Sequence, residues 1–218
     1  MNNTHFRLLV FAALVAGLTI VGCDKETDPV SPGGSGLFKS AGTFSFSSNR
    51  GNFAANGIFD TLMTSQSAAG AFSYSDGNME YVVVFAYDVT NPMAPKLVYT
   101  GMIDTATAVG AGTYSYSAVN AQRMGFFAYF PNLADTASLP QFYMLLNGAS
   151  VVSSASETNI SGTFSGSGYN IFDTLTTIQV SSGSFNAPVV DRYFVYGGMD
   201  DELVSRIKSD IHRRFSTH

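Results

Sequence analysis

Aromatic and small hydroxyl residues alternate along Thr43-Phe44-Ser45-Phe46-Ser47, Phe72-Ser73-Tyr74-Ser75 and Thr113-Tyr114-Ser115-Tyr116-Ser117. Successive side chains of a strand point to opposite faces, so this alternation predicts half-buried antiparallel strands with one apolar and one wet face. Two other stretches, Tyr81 to Tyr87 and Phe126 to Phe130, are continuously apolar and rich in β-branched or aromatic residues. They are shorter than a typical helix and predict strands covered on both sides. Further strands are expected at Leu97 to Ile103, Phe142 to Leu146, Ile160 to Phe164, Thr174 to Val180 and Val189 to Tyr196. Turn signals stand between them at Asp76-Gly77-Asn78, Asn91-Pro92, Pro131-Asn132 and Asn147-Gly148. Roughly ten short strands with turns every 8 to 12 residues predict an all-β domain, an antiparallel β-barrel or a β-sandwich.

The period changes at Asp200. Leu203, Ile207, Ile211 and Phe215 fall four apart with Val204 beside the first, while Asp200, Asp201 and Glu202 crowd the start and Arg213 and Arg214 the end. This is the pattern of an amphipathic helix with charges that suit its dipole. The helix is expected to dock its apolar stripe on the outside or across an end of the β-domain, because helices draw most of their stability from such packing. The other reading of the stripe is a contact for a partner subunit or a lipid surface.

One segment echoes another. Ile58-Phe59-Asp60-Thr61-Leu62 recurs as Ile171-Phe172-Asp173-Thr174-Leu175, each preceded by Gly-Thr-Phe-Ser (Gly42 to Ser45, Gly162 to Ser165) and followed by Gly70 and Phe72 or Gly183 and Phe185. The unit reads as a β-hairpin used twice, at the two ends of a sheet. Asp60 and Asp173 invite comparison with the paired carboxylates of sugar hydrolysis. Asp-Thr also occurs at 104 to 105 and 135 to 136, so the expected role is a turn, the carboxylate accepting from local backbone N–H groups.

The N-terminus carries an address. Arg7 precedes fourteen uncharged residues, Leu8 to Val21, the length of a secretory signal core and too short for a span of about 20 residues. Ile20-Val21-Gly22-Cys23 resembles the lipobox of bacterial lipoproteins, which implies lipidation of Cys23, the only cysteine in the chain. Several acyl chains, at about 0.8 kcal/mol per buried CH₂, make a durable anchor. Lys25 and Glu26, within Asp24-Lys25-Glu26-Thr27-Asp28, resemble the export signal of Bacteroides-type lipoproteins, which implies the outer face of the outer membrane; the other reading is a solvated tether. The expected organisation is a signal peptide at 1–22, a lipidated flexible tether at 23–36, a β-domain at 37–197 and a C-terminal helix and tail at 198–218. Pro29, Pro32 and Gly33-Gly34-Ser35-Gly36 give the tether a reach of ~20 Å.

Gly110-Ala111-Gly112-Thr113-Tyr114, Ile160 to Ser165 and Val180-Ser181-Ser182-Gly183-Ser184-Phe185 resemble the recurrent strands of small uncharacterised β-rich lipoproteins of Bacteroides-type bacteria. That resemblance, over about residues 80 to 190, implies a calycin-like barrel or sandwich and carries no activity with it. The chain departs from that pattern by continuing beyond the hairpin.

The 195 residues after Cys23 suffice for one domain with a real core. Beyond the leader ten basic side chains face sixteen acidic ones, a formal net charge of −6 with no basic stripe, which argues against nucleic acid as a partner. The only histidines are His5, His212 and His218, so a Ser-His-Asp triad or a histidine metal site is excluded from the β-domain. Neither a phosphate loop nor a calcium loop motif occurs. No catalytic residue, metal ligand or cofactor is expected, although a carboxylate-dependent glycan hydrolase remains the minor alternative. The expectation is a lipid-anchored cell-envelope domain, in contact with the membrane through its lipid, that acts by binding an apolar small molecule or a glycan. An apolar ligand would need a cavity lined by residues such as Tyr81, Phe85 and Phe127. A structural or adhesive surface protein, the second expectation, would show a filled core and exposed strand edges.

Overall fold

The structure, a computed structural model, describes residues 40–59, 65–76, 79–117, 121–134 and 141–191. The signal peptide, the tether with Cys23, Lys25 and Glu26, Asp60 and the C-terminal helix all lie outside the described residues. The strands are β1 (Gly42–Ser48), β2 (Phe53–Gly57), β3 (Ser67–Asp76), β4 (Met79–Asp88), β5 (Lys96–Asp104), β6 (Gly112–Ser115), β7 (Arg123–Phe130), β8 (Tyr143–Ala155), β9 (Asn159–Asn170) and β10 (Asp173–Asp191). They form one ten-stranded sheet in the order β2-β1-β10-β3-β4-β5-β7-β6-β8-β9, with β10–β9 and β7–β8 as additional pairings.

The all-β expectation holds, but the sheet is mixed rather than purely antiparallel. β10 runs parallel to β3, and β6 parallel to β7. Ile58, just past β2, bridges Ala69 of β3 in parallel, so the chain crosses over between these strands instead of turning back. β3 therefore meets β10 in the same direction, through Val189↔Ala71, Val190↔Phe72 and Asp191↔Ser73.

The expected strand 174–180 and the start of the next, 189–191, belong to one strand, while 192–196 lie outside the described residues. β10 continues across Ser181-Ser182-Gly183 by means of a bulge at which Ser182 takes φ 53°. Asn147-Gly148, read as a turn, lies inside β8. Register shifts there between Leu145 and Asn147, and Gly148 takes φ 106°. A bulge and a tight turn place the same demand on glycine, a positive φ, so the dipeptide alone does not separate them. A Cβ on Gly148 would lie 2.1 Å from the Ser165 carbonyl oxygen, so the close approach of β9 also requires glycine.

Six consecutive residues of β4, Val82 to Tyr87, are buried, as its continuous apolar run predicts for a strand covered on both faces. Val82, Val84 and Ala86 face the main core with Phe44, Phe46, Phe53, Phe127, Phe164 and Phe185. The rings there touch one another closely: Phe46 lies 5.6 Å from Phe53, 5.7 Å from Phe127 and 5.0 Å from Tyr129, and Phe127 lies 5.4 Å from Phe164. Edge and offset contacts at these spacings add to the burial of apolar area.

The opposite face carries a second chain of rings. Phe59 meets Phe72 at 5.8 Å, Phe72 meets Phe85 at 5.2 Å, Phe85 meets Tyr99 at 5.3 Å, Tyr99 meets Phe130 at 6.0 Å and Phe130 stacks on Phe142 at 4.4 Å. The series crosses β3, β4, β5 and β7 in register, since Gly70 opposes Phe85, Phe85 opposes Tyr99 and Tyr99 opposes Ala128. Phe126 folds over the bare backbone of Gly101, where any Cβ would strike its ring.

The two Gly-Thr-Phe-Ser strands are not at opposite ends of the sheet. β1 and β9 lie on either side of β10, with Phe44↔Phe185 on one edge and Phe164↔Gly183 on the other. Phe44 and Phe164 reach past it to within 5.0 Å of each other. The second copy of the echo is a β9–β10 hairpin; in the first, β1 pairs with β2 and β10 instead of β3.

Candidate functional site

The residues expected to line one cavity do not share a face. Phe127 is fully buried in the main core, whereas Phe85 belongs to the second ring chain and Tyr81 lies beside Tyr74 on that same far face, 6.2 Å away. Alternation along β4 separates Tyr81 and Phe85 from the core positions Val82 and Val84.

Polar groups inside the core satisfy one another. Ser150 Oγ shares hydrogen bonds of 2.8 Å with both Thr100 Oγ1 and the Tyr116 hydroxyl, and Thr100 also donates to the Phe126 carbonyl. Burial pushes the Tyr116 phenol up to about 12 against the opposing effect of those hydroxyls. This triad ties β5 and β8 to the residue just past β6 and holds its protons at ordinary pH.

Asp173 takes the turn role expected of it. The Leu175 N–H donates to Oδ1 at 3.1 Å and the Thr176 hydroxyl to Oδ2, on an exposed corner. Asp60 lies outside the described residues, so the pairing of these two carboxylates is not on view.

The densest polar cluster surrounds Asp104, whose side chain is fully buried at the end of β5. The Ala106 and Thr107 N–H groups each donate to Oδ1 at 3.0 Å, Gln122 Nε2 donates to Oδ1 at 3.2 Å, and Arg123 Nε donates to Oδ2 at 3.0 Å. Burial alone raises a carboxyl pKa, but these four donors outweigh it and hold Asp104 well below the usual carboxylate range. Arg123 also donates to the Ala111 carbonyl at 3.1 Å and lies 5.6 Å above the Tyr114 ring. Glu80, directly opposite Asp104 on β4, accepts from the Val109 N–H. Both carboxylates thus clamp the segment between β5 and β6 onto the sheet. Asp104, held in its ionised form, suits that work and has no proton to donate.

Asp104 belongs to one of the Asp-Thr turns expected from the sequence, whereas Arg123 is not among the expected site residues. One signal was there: Arg123 is the only basic residue between Lys96 and Arg192.

On the outer side of β8, β9 and β10, a shallow depression of about 360 Å³ is bounded by Ala149, Val151, Thr163, Ser165, Ser182 and Ser184, with the buried Phe164 and Gly183 behind them. It lies at the β10 bulge, where Ser182 is turned out. Among the described residues no group of three or more His, Cys, Asp or Glu side chains is placed to hold a metal ion. No family model, no curated protein and no solved structure matches this chain.

Proposed function

We propose that the chain is a lipid-anchored protein of the bacterial cell envelope whose β-domain is a closed, filled barrel, serving as a structural or adhesive module through its outer surface. The match of Ile20-Val21-Gly22-Cys23 to a lipobox supports the anchor, and Lys25 with Glu26 supports export to the cell surface. Closure is supported by the pairings, which return to their start: β10–β3–β4–β5–β7–β8–β9–β10.

The observation that carries the functional reading is the interior. Phe44, Phe46, Phe127, Phe164 and Phe185 occupy the space an enclosed ligand would need, and each is at most 3% exposed. Small-molecule sites of the usual kind are pre-formed hollows of about 300 to 1,000 Å³. Titration of the lipid-free chain, residues 24–218, with an apolar fluorophore tests this. No saturable uptake is expected; uptake at one tight site would favour an enclosed apolar ligand instead.

The depression across β8 to β10 favours a second reading, a glycan held at the surface. Its rim is hydroxyl-rich and its floor apolar, a combination that suits the two faces of a sugar. Ser182→Trp would fill it, so loss of glycan capture in that variant alone would support the glycan reading.

A further inference from the structure

β10 pairs with β9 on one edge from Asp173 to Pro188, but on its other edge β1 covers only Val180 to Asn186 and β3 only Val189 to Asp191. Among the described residues no strand lies along that second edge from Asp173 to Gln179. Thr174-Leu175-Thr176-Thr177-Ile178-Gln179 is an uncharged run rich in β-branched residues, without Pro or Gly, and Leu175 is 91% exposed. Identical segments of this kind, presented as open edges, pair with one another.

The β1–β2 turn stands where that pairing would begin. β1 ends at Ser48, opposite Val180, and the Gly51 N–H returns to the Ser48 carbonyl at 3.2 Å, which turns the backbone away. Side chains then continue the ladder that the backbone has left. The Gln179 N–H donates to Asn49 Oδ1 at 2.9 Å, and the Gln179 carbonyl accepts from the Asn49 N–H at 3.3 Å. Two residues along, the Thr177 carbonyl accepts from Arg50 Nε at 2.8 Å. Ladder groups facing one edge recur at every second residue, so Gln179 and Thr177 are the positions a further strand would use. The Leu175 N–H is taken as well, by Asp173 Oδ1. Arg50 is steadied by the Tyr143 ring, 5.8 Å from its guanidinium carbon.

We propose that Asn49 and Arg50 guard the β10 edge, and that without them this edge adds a second copy of the chain, strand to strand. Two copies meeting there in antiparallel would bring their Arg50 guanidinium groups together, so the arginine opposes the contact by charge as well as by occupying an acceptor. This role is independent of what the outer surface of the domain binds.

The test uses the full chain in its lipidated form, with Leu175→Cys as the reporter and a thiol-specific bis-maleimide as the cross-linker. The parent, whose one cysteine is Cys23, is the blank. Leu175→Cys alone is expected to give little covalent dimer. Adding Asn49→Ala and Arg50→Ala should raise the yield several-fold, and adding Thr177→Lys to that variant should return it to the starting level, because a charge on an edge opposes pairing. Thr163→Cys, at an exposed position of β9 away from that edge, is the control and should show no rise when the guard is removed. No rise at position 175, an equal rise at position 163, or a yield that Thr177→Lys leaves unchanged would overturn the proposal. Hydrogen exchange separates edge pairing from unfolding: the β4 and β5 amides are expected to keep their parental rates in Asn49→Ala/Arg50→Ala. Faster exchange throughout the sheet would overturn the proposal, since the two residues would then be holding the fold and not its edge.

Discussion

Arg123 and Asp104 face each other across β7 and β5, directly paired in register and joined by a hydrogen bond of 3.0 Å from Nε to Oδ2. The carboxylate is buried while the guanidinium is 37% exposed, so the charge that depends on the contact is the acid. Its pKa is lower in the folded protein than in the unfolded chain. The resulting stabilisation is fully present above about pH 5 and is lost as pH falls through the unfolded value of about 3.9 toward the folded one. Urea midpoints are expected to fall over that window in the parent and to fall less steeply in Asp104→Asn. At neutral pH the same substitution should cost about 1 to 3 kcal/mol, because it weakens charge-assisted hydrogen bonds inside the sheet. A parallel pH dependence in parent and variant would show that the cluster contributes nothing.

Gly148→Ala tests the bulge in β8. The backbone at φ 106° and the Ser165 carbonyl 2.1 Å from the new Cβ both oppose a side chain. Destabilisation of about 1 to 3 kcal/mol is expected from the conformation alone, read as a lower urea midpoint. Gly110→Ala, where the nearest atom to a Cβ is 3.9 Å away, is the control and should change little.

Phe164→Ala tests the filled interior. The ring touches Phe44, Phe46, Phe127 and Phe185, so its removal should cost about 3 to 5 kcal/mol and leave a dry cavity. The variant is expected to acquire the saturable uptake of an apolar fluorophore that the parent lacks. Equal behaviour of the two proteins would mean that the core re-collapses.

The anchor is tested outside the sheet. Cys23→Ala is expected to abolish labelling by a fatty-acid analogue, since the thioether needs the sulfur, and to release the protein from the membrane fraction. Ala at both Lys25 and Glu26 should leave labelling intact and protect the protein from protease added to intact cells. Labelling of the Cys23 variant at the parental level would remove the lipoprotein reading.

Strand positions were legible in the chain wherever alternation or a continuous apolar run was strong, as in β1, β4 and β7. β2 was not, for Phe53-Ala54-Ala55-Asn56-Gly57 contains neither a β-branched residue nor a sustained alternation, and only pairing with β1 makes it a strand. Two turn signals between strands held: Asn91 Oδ1 accepts from the Met93 N–H, and Asn132 Oδ1 from the Ala134 N–H. Asn147-Gly148 failed because local chemistry specifies a positive φ and not whether the chain reverses. The Asp104 cluster depends on Arg123 from a different strand, a contact that no local pattern encodes. What lines the interior was misjudged for the same kind of reason: Phe85 and Phe127 are both apolar-run residues, and only the register of β4, β5 and β7 assigns them to different faces.

β10 is paired along its length to β9, and on its other edge first to β1 and then to β3. Its partner Thr43 precedes Asn186 by most of the domain, so the first of the described strands to be synthesised waits for the last of them. Assembly dominated by such distant pairings is slow, because loop closure must precede the contacts that reward it. On the proposed export route the chain crosses a membrane as a thread, and that delay is useful there: until β10 has been delivered, β1, β3 and β9 lack the strand on which they meet.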